Sequence, residues 1–447
     1  MSNKKIQYFL PVIIFLLFGI LSASLIVNNA GLSFKQKAVK VELVNKDGQI
    51  SLQCNGNPFF VKGAGSGYDN MESLAKHGAN ALRTWSVNDG KRSGKEILDR
   101  AHKLGLMVCM GIEVGNERWG FDYNDEELVK QQFERIKKEV TRLKDHPALL
   151  IWGIGNELNL NYTNKKVWDA VNNIAAMIHK IDSNHPTTTM LAAGAVTEDI
   201  NLLLKHFTDI DFLSFQVYGD ILNLPKDINE SDYKGAYIIS EWGPTGHWEV
   251  PRTSWDRPIE ETSSEKAEIH LKRYKNIILN DSNHCIGSFV FLWGQKQERT
   301  PTWYGLFLKS GEETEAVDVM HFLWNNKWPE NRSPKLISLL LNDKDAFANI
   351  KLLKSQKCTA IVKATDPDGD EIKYSWSVLP EVPRQNQSEG GEFEQHTNIV
   401  MEYNNAEFGE NFFFSAPQPG EYRLFVYARD GQGNAATANI PFLVIDN

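Results

Sequence analysis

Eight short apolar runs, separated by helical patterning, constrain this chain more than any other feature. They are FFVKGAG (59–65), NALRTWS (80–86), LMVCMGIEV (106–114), LLIWGIGNE (149–157), TTTMLAAG (187–194), DFLSFQVYG (211–219), AYIISEWG (236–243) and IGSFVFLWG (286–294). Between them, Leu128, Phe133, Ile136, Val140 and Leu143 recur at a period near that of a helix, as do Val167, Val171, Ile174, Ile178 and Ile181. A strand that is almost continuously apolar is covered on both faces, the condition of a parallel sheet. Eight such strands, each followed by a helix or long loop, predict an α/β fold, a closed (β/α)8 TIM barrel. An open doubly wound sheet would gather its polar groups at one switch point and carry a Gly-x-Gly-x-x-Gly after the first strand. Here polar groups close most of the eight runs, and that glycine pattern does not follow the first.

The chain has 447 residues, more than one typical domain. The barrel is expected over 40–330, ahead of a composition change at NNKWPENRSPK (325–335). Beyond it, short alternating strands divided by Asp-Gly and Gly-Asn turns predict a small all-β sandwich, immunoglobulin-like in size, over 335–447. That domain is expected to separate cleanly from the barrel at its polar, Pro-containing linker. The segment VKVELVNKDGQISLQCNGNPFF predicts a hairpin under the barrel floor. Residues 1–30 place two lysines before an uncharged apolar run, Tyr8 to Val27, which reads as a signal peptide or a membrane anchor. The body of the protein is therefore expected to be exported: periplasmic, extracellular, or anchored facing outward. With 48 basic against 57 acidic side chains, the net charge of −9 gives no footprint for nucleic acid. Cys54, Cys109, Cys285 and Cys358 are scattered; a disulfide such as Cys54–Cys358 is open, and no pairing follows from spacing.

Glu157 ends the fourth strand and Glu241 the seventh. Strands four and seven face each other across a barrel, so their ends converge at the mouth where barrel active sites are built. Two carboxylates so placed suit glycosidic cleavage: one protonates the departing oxygen, the other attacks or stabilises the cationic sugar carbon. Each alone could be a salt bridge or a solvated strand end. Glu113, Glu117 and Trp119 follow strand three, His247 and Trp248 follow Glu241, and Gln295, Glu298 and Trp303 follow strand eight. Each is a possible sugar subsite, and each could as readily cap a helix or pack a loop. The histidines show no metal-ligand spacing, and no metal or other cofactor is expected. No protein partner is implied; the expected partner is a carbohydrate substrate.

In detail, FFVKGAGSGY, NALRTWS, KDHPALLIWGIGNE and IISEWG resemble the TIM-barrel domain of glycoside hydrolase family 2, in the "4/7" superfamily called clan A, over roughly residues 56–326. The resemblance implies a retaining β-glycoside hydrolase with Glu157 as general acid/base and Glu241 as nucleophile. It further implies that Asn156 bonds the sugar 2-hydroxyl, Arg83 keeps Glu241 ionised, Tyr218 orients Glu241, and Trp293 floors the sugar subsite. Trp293 is expected to be joined to Gly294 by a cis peptide. ALRTWSVN is also similar to glucan-remodelling transferases of fungi, so a transglycosidase using the same glutamates is the alternative. A non-catalytic carbohydrate-binding barrel is a third reading; such barrels usually lose a carboxylate, and this chain has both. ATDPDGDEIKYSW resembles bacterial cadherin-like repeats, in which Asp366, Asp368 and Asp370 would either bind calcium or form a solvated turn.

Overall fold

A computed structural model describes residues 38–192, 197–387, 394–403 and 409–446. The expected signal or anchor lies outside the described residues. Three short strands come first: β1 (Val41–Lys46), β2 (Gln49–Cys54) and β3 (Asn57–Pro58). Eight strands then close into one barrel: β4 (Val61–Ser66), β5 (Ala81–Arg83), β6 (Met107–Ile112), β7 (Leu149–Asn156), β8 (Thr187–Ala192), β9 (Phe212–Gln216), β10 (Tyr237–Trp242) and β11 (Cys285–Trp293). Every neighbouring pair is parallel, and β11 pairs with β4 to close the ring. All eight expected strands are present, in the expected order.

The intervening helices bury the faces that periodicity marks. Helix α1 (Met71–Lys76) follows β4, and α2 (Gly94–Lys103) opens on a reciprocal Ser93–Glu96 capping box. Helix α3 (Glu126–Leu143) is capped by Asp125 and buries Ile136, Val140 and Leu143. Helix α4 (Lys166–Ile181) buries Val167, Val171, Ile174 and Ile178. Helices α5 (Thr197–Leu204), α6 (Leu224–Glu230), α7 (Ser263–Arg273) and α8 (Glu315–Asn325) complete the outer ring. Among the described residues, no helix is long and apolar enough to cross a membrane.

The hairpin β1–β2 plugs the N-terminal end of the barrel. Val41 and Leu52 pack with Val61, Ala81, Cys109, Leu150 and Phe289, and Val41 N donates to Asn184 O at 2.7 Å. The site is therefore left to the opposite rim.

The described residues of 335–446 form two sheets. One is β12 (Lys335–Leu341), β14 (Lys357–Thr365) and β17 (Asn411–Ser415); the other joins β13 (Lys351–Leu353), β19 (Ala435–Ile445), β18 (Gly420–Arg429), β15 (Lys373–Pro380) and β16 (Met401–Tyr403). They share a core around Leu341, Val362, Trp376, Phe412, Leu424 and Phe442. Asp366 Oδ1 accepts from the backbone N of Asp368 and Asp370, which makes this stretch a carboxylate-closed turn.

The clean separation expected at the linker 325–335 is not what the chain builds. The described residues from 38 to 446 pack as one unit. Arg423, buried, donates to Pro258 O at 2.8 Å, and Arg257 donates to Glu421 Oε2 at 2.5 Å and Val382 O at 3.0 Å. Arg429 Nε donates to Glu312 Oε1 at 2.7 Å, while Glu313 N donates to Gly433 O and Ala435 N to Glu313 O. Ser263 and Ser264 of α7 accept from Thr437 N and Leu336 N, each at 2.9 Å. Linker polarity signalled a boundary in sequence, but sequence alone could not show that both sides of it are tied together.

All four cysteines are free thiols; Cys109, Cys285 and Cys358 are buried and Cys54 partly so. Cys54–Cys358 is not a disulfide.

Candidate active site

Backbone irregularity marks both glutamates. The β7–β8 register shifts between Gly153 and Asn156, and the β9–β10 register shifts between Ile239 and Glu241. Such shifts re-aim side chains next to active sites. Gly155 sits at φ 75, where a Cβ would strike Leu158 at 2.4 Å. Glu157 itself has φ 52, a left-handed conformation that a glutamate holds only where its surroundings enforce it. Its N–H donates to Met190 O at 3.0 Å, and its carbonyl accepts from Leu160 N at 3.1 Å. The chain thus turns off β7 with the Glu157 side chain in the mouth.

Glu241 is held by four donors. Arg83 Nη1 lies 2.8 Å from Oε2, Gln216 Nε2 3.2 Å and Trp85 Nε1 3.4 Å from the same oxygen; Tyr218 OH donates to Oε1 at 2.8 Å. Arg83 also donates to Ser240 O at 3.0 Å, which ties the guanidinium to the strand that carries the glutamate. Burial and the Glu241 charge push the Tyr218 hydroxyl well above its ordinary value, so it remains a donor. Trp85 reaches Glu241 because residue 65 is glycine: a Cβ there would lie 2.7 Å from the indole.

Asn156 Oδ1 accepts from Arg83 Nη2 and from Gln216 Nε2, the latter at 2.8 Å. With its oxygen engaged twice, the amide nitrogen is the end left to donate into the cavity.

Glu157 has a different setting. Burial first, and the Glu241 charge second, push its carboxyl up to about 7, against the opposing pull of Arg118, Arg83 and Lys296. Arg118 Nη2 stands 3.5 Å from Oε2. Two carboxylates on one cavity therefore meet different environments: four donors hold Glu241, while burial and the neighbouring charge raise Glu157.

The cavity measures about 460 Å3 and is lined by Glu157, Glu241, Trp85, Tyr218, Trp248 and Tyr304 among others. Trp248 is half exposed and held edge-on by His247, with ring centroids 4.9 Å apart, and by Tyr218 at 5.6 Å. Glu298 lines the wall with Lys296. Burial raises the Glu298 carboxyl, but His247 and Lys296 outweigh it and hold it below the usual range. Phe291 and Leu292 complete the apolar side.

Several expected residues lie elsewhere. Trp293 is fully buried in the barrel wall: its indole donates to Ser73 Oγ at 3.3 Å and packs on His77, Phe307 and Trp324. The non-proline cis bond of this strand joins Phe291 to Leu292, not Trp293 to Gly294. The β11–β4 register shifts between Val290 and Trp293, and the indole lies in the wall where the resemblance implied the cavity floor. Trp303 is buried and donates to Thr245 O at 3.0 Å, away from the cavity. Glu117 accepts from Thr163 N and Asn164 N, closing the loop before α4. Gln295 braces its own loop through Pro301 O. Glu113 is exposed, with its carbonyl held by Arg135 of α3, and exposed Trp119 stacks on Arg118. None of these side chains lines the cavity. His247 does not line it either, but supports Trp248 from behind.

Gln216, Trp85, Arg118, Lys296 and Tyr304 escaped the sequence reading. Gln216 and Trp85 stand within quoted strand ends, FQVYG and ALRTWS, so a polar or aromatic group at such an end was the available signal. Arg118 sits in a short 3-10 turn, Glu117–Trp119, and Lys296 in a loop, and no periodicity reveals the course of either.

Residues 69–243 match the family described as Glycosyl hydrolases family 2, TIM barrel domain. The chain is 28% identical over 166 residues to a β-galactosidase of Thermoanaerobacter pseudethanolicus, covering 36% of this chain and 18% of that protein. It is 28% identical over 153 residues to a β-mannosidase of Capra hircus (29% and 17%). It is 26% identical over 134 residues to an exo-β-D-glucosaminidase of Arthroderma benhamiae (26% and 15%). The aligned part thus spans under one fifth of each of these relatives. A solved β-glucuronidase of Bacteroides uniformis aligns at 14% identity with a TM-score of 0.47, over 90% of this chain and 48% of that one. The matched stretch, residues 69–243, lies within the closed barrel and carries both glutamates of the rim.

Proposed function

We propose that the protein is a retaining β-glycoside hydrolase. The observation that carries this reading is the unequal treatment of two glutamates on one cavity: donors surround Glu241, while desolvation leaves Glu157 able to hold a proton near neutrality. In the first step a Glu241 oxygen bonds to the anomeric carbon as the glycosidic bond breaks, and the Glu157 proton passes to the departing oxygen. In the second, ionised Glu157 takes a proton from water, the resulting oxygen bonds to the anomeric carbon, and Glu241 leaves. The Asn156 amide would donate to the sugar 2-hydroxyl. The relatives' names share a β-linked glycoside, which is the substrate class we assign. Transfer to a second sugar would use the same first step. Product NMR on β-linked oligosaccharides tests both: a first-formed β-anomer or a β-linked transfer product is expected, and a first-formed α-anomer would sink the retaining mechanism. The N-terminal apolar run supports export as a companion proposal, checked by fractionating cells that express the full chain.

Because the acid must carry its proton, kcat/KM should fall as pH rises through about 7, the value to which Glu157 is pushed. In Glu157→Gln that alkaline limb should vanish on aryl glycosides whose leaving group needs no proton. A limb that persists unchanged would assign it to another group.

Trp248→Ala should raise KM roughly tenfold, about 1.4 kcal/mol, with little change in kcat, because the half-exposed indole offers a sugar a flat face. An unchanged KM across a panel of β-glycosides would remove Trp248 from the binding surface.

A further inference from the structure

The loop after β11 brings Lys296, Glu298 and Tyr304 to the cavity wall. It turns back on itself through Glu298 N to Thr300 O at 3.2 Å and Thr300 N to Glu298 O at 2.7 Å. Arg299, at the tip, has φ 59, a left-handed backbone that a long side chain adopts only under constraint. Much of that constraint comes from outside the barrel. Glu394, whose side chain is fully buried, accepts from Arg299 N at 2.5 Å and pairs with the Arg299 guanidinium. Backbone and side chain of one residue are clasped by a single carboxylate. On the other arm, the Thr300 and Thr302 hydroxyls donate to Glu260 at 2.6 and 2.8 Å, and Asn439 of β19 donates to the same carboxylate at 2.7 Å.

We propose that Glu394 is a positioning residue for the reaction: through Arg299 it fixes the loop that carries Lys296 and Glu298, which makes the β-sandwich a working part of the active site. This rests on the glycosidase reading above. A buried carboxylate is costly unless paired, and Glu394 pairs with the one residue of the loop whose backbone is left-handed. The loop also reaches the chemistry electrostatically. The charged groups that face Glu157 are Glu241 from β10, Arg118 from the segment after β6, Arg83 from β5 and Lys296 from this loop. Lys296 opposes proton retention by Glu157, so a loop that drifts outward leaves Glu157 protonated to higher pH.

The test uses the full chain with Glu394→Gln, Glu394→Ala, Arg299→Ala and the double alanine variant, measuring thermal midpoint and kcat/KM against pH on a β-glycoside whose leaving group needs the proton. Glu394→Gln should lower kcat/KM roughly tenfold, less than the ~100-fold that a full 1 Å misplacement can cost. Its alkaline limb should move to higher pH. Arg299→Ala should do the same, and the double variant should lose no more than the singles, since both act on one contact. If Glu394→Ala does not fold, Glu394→Gln and Arg299→Ala still decide the matter. Wild-type kcat/KM and limb in those variants would overturn the proposal. So would additive losses, or losses that follow the folded fraction with the limb unmoved. Glu241→Ala is the separate control: if it keeps turnover, the glycosidase reading has failed, whatever Glu394 does.

Discussion

Glu241→Ala is expected to reduce turnover on the order of 10^5-fold or more, the scale on which loss of a nucleophile acts. The variant should still fold, because Arg83 keeps its bond to Ser240 O and Tyr218 keeps its ring contacts with Trp248, Phe291 and Tyr304. Added azide should occupy the vacated space and attack the anomeric carbon from the nucleophile's side, giving an α-glycosyl azide from a β-glycoside. Glu157→Ala should differ in kind. Its first step should survive on aryl glycosides with good leaving groups, and azide should then yield a β-glycosyl azide, since Glu241 still forms the intermediate. Wild-type rates in both variants would remove the two glutamates from the chemistry.

Residues 38–332 alone are expected to give no active barrel. Deletion of the sandwich removes the charge-assisted contacts of Arg257 with Glu421, Arg299 with Glu394, Glu312 with Arg429, Glu260 with Asn439, and Pro258 O with Arg423. At about 1.5–3 kcal/mol for each, their sum is comparable to the ~5–15 kcal/mol that stabilises a whole domain. Calorimetry of the full chain should show one transition for both cores. Soluble, fully active 38–332 would show that the barrel stands alone.

The barrel was legible because burial on both faces leaves a continuous apolar run, and eight such runs have few ways to close. The placing of Glu157 and Glu241 on one rim was legible for a related reason: an ionisable residue at the end of a buried run, as in GNE and SEW, has to face a rim. Gln216 followed the same logic yet reads in sequence as an ordinary strand-end amide; only its bonds to Asn156 and Glu241 reveal it. Trp293 shows where the logic stops. Its place in the site was carried over from the family resemblance, and here the register shifts after Val290 and the indole packs against Trp324 of α8. Lys296, Arg118 and Glu394 were beyond reach, because each meets its partner through loop geometry that local patterning does not encode.

The four free thiols bear on how the chain is handled and where it can fold. Burial pushes Cys54 up to about 11 and Cys109 and Cys285 up to about 12, and raises Cys358 as well. The thiolate is the reactive form in exchange and alkylation, so at neutral pH the folded molecule should hardly respond to glutathione ratio or to iodoacetamide. The unfolded chain has no such protection: four ordinary thiols in an oxidising medium can pair wrongly before the barrel closes. Maturation therefore needs no oxidant, and refolding yield should rise with added reductant while the specific activity of folded material stays the same.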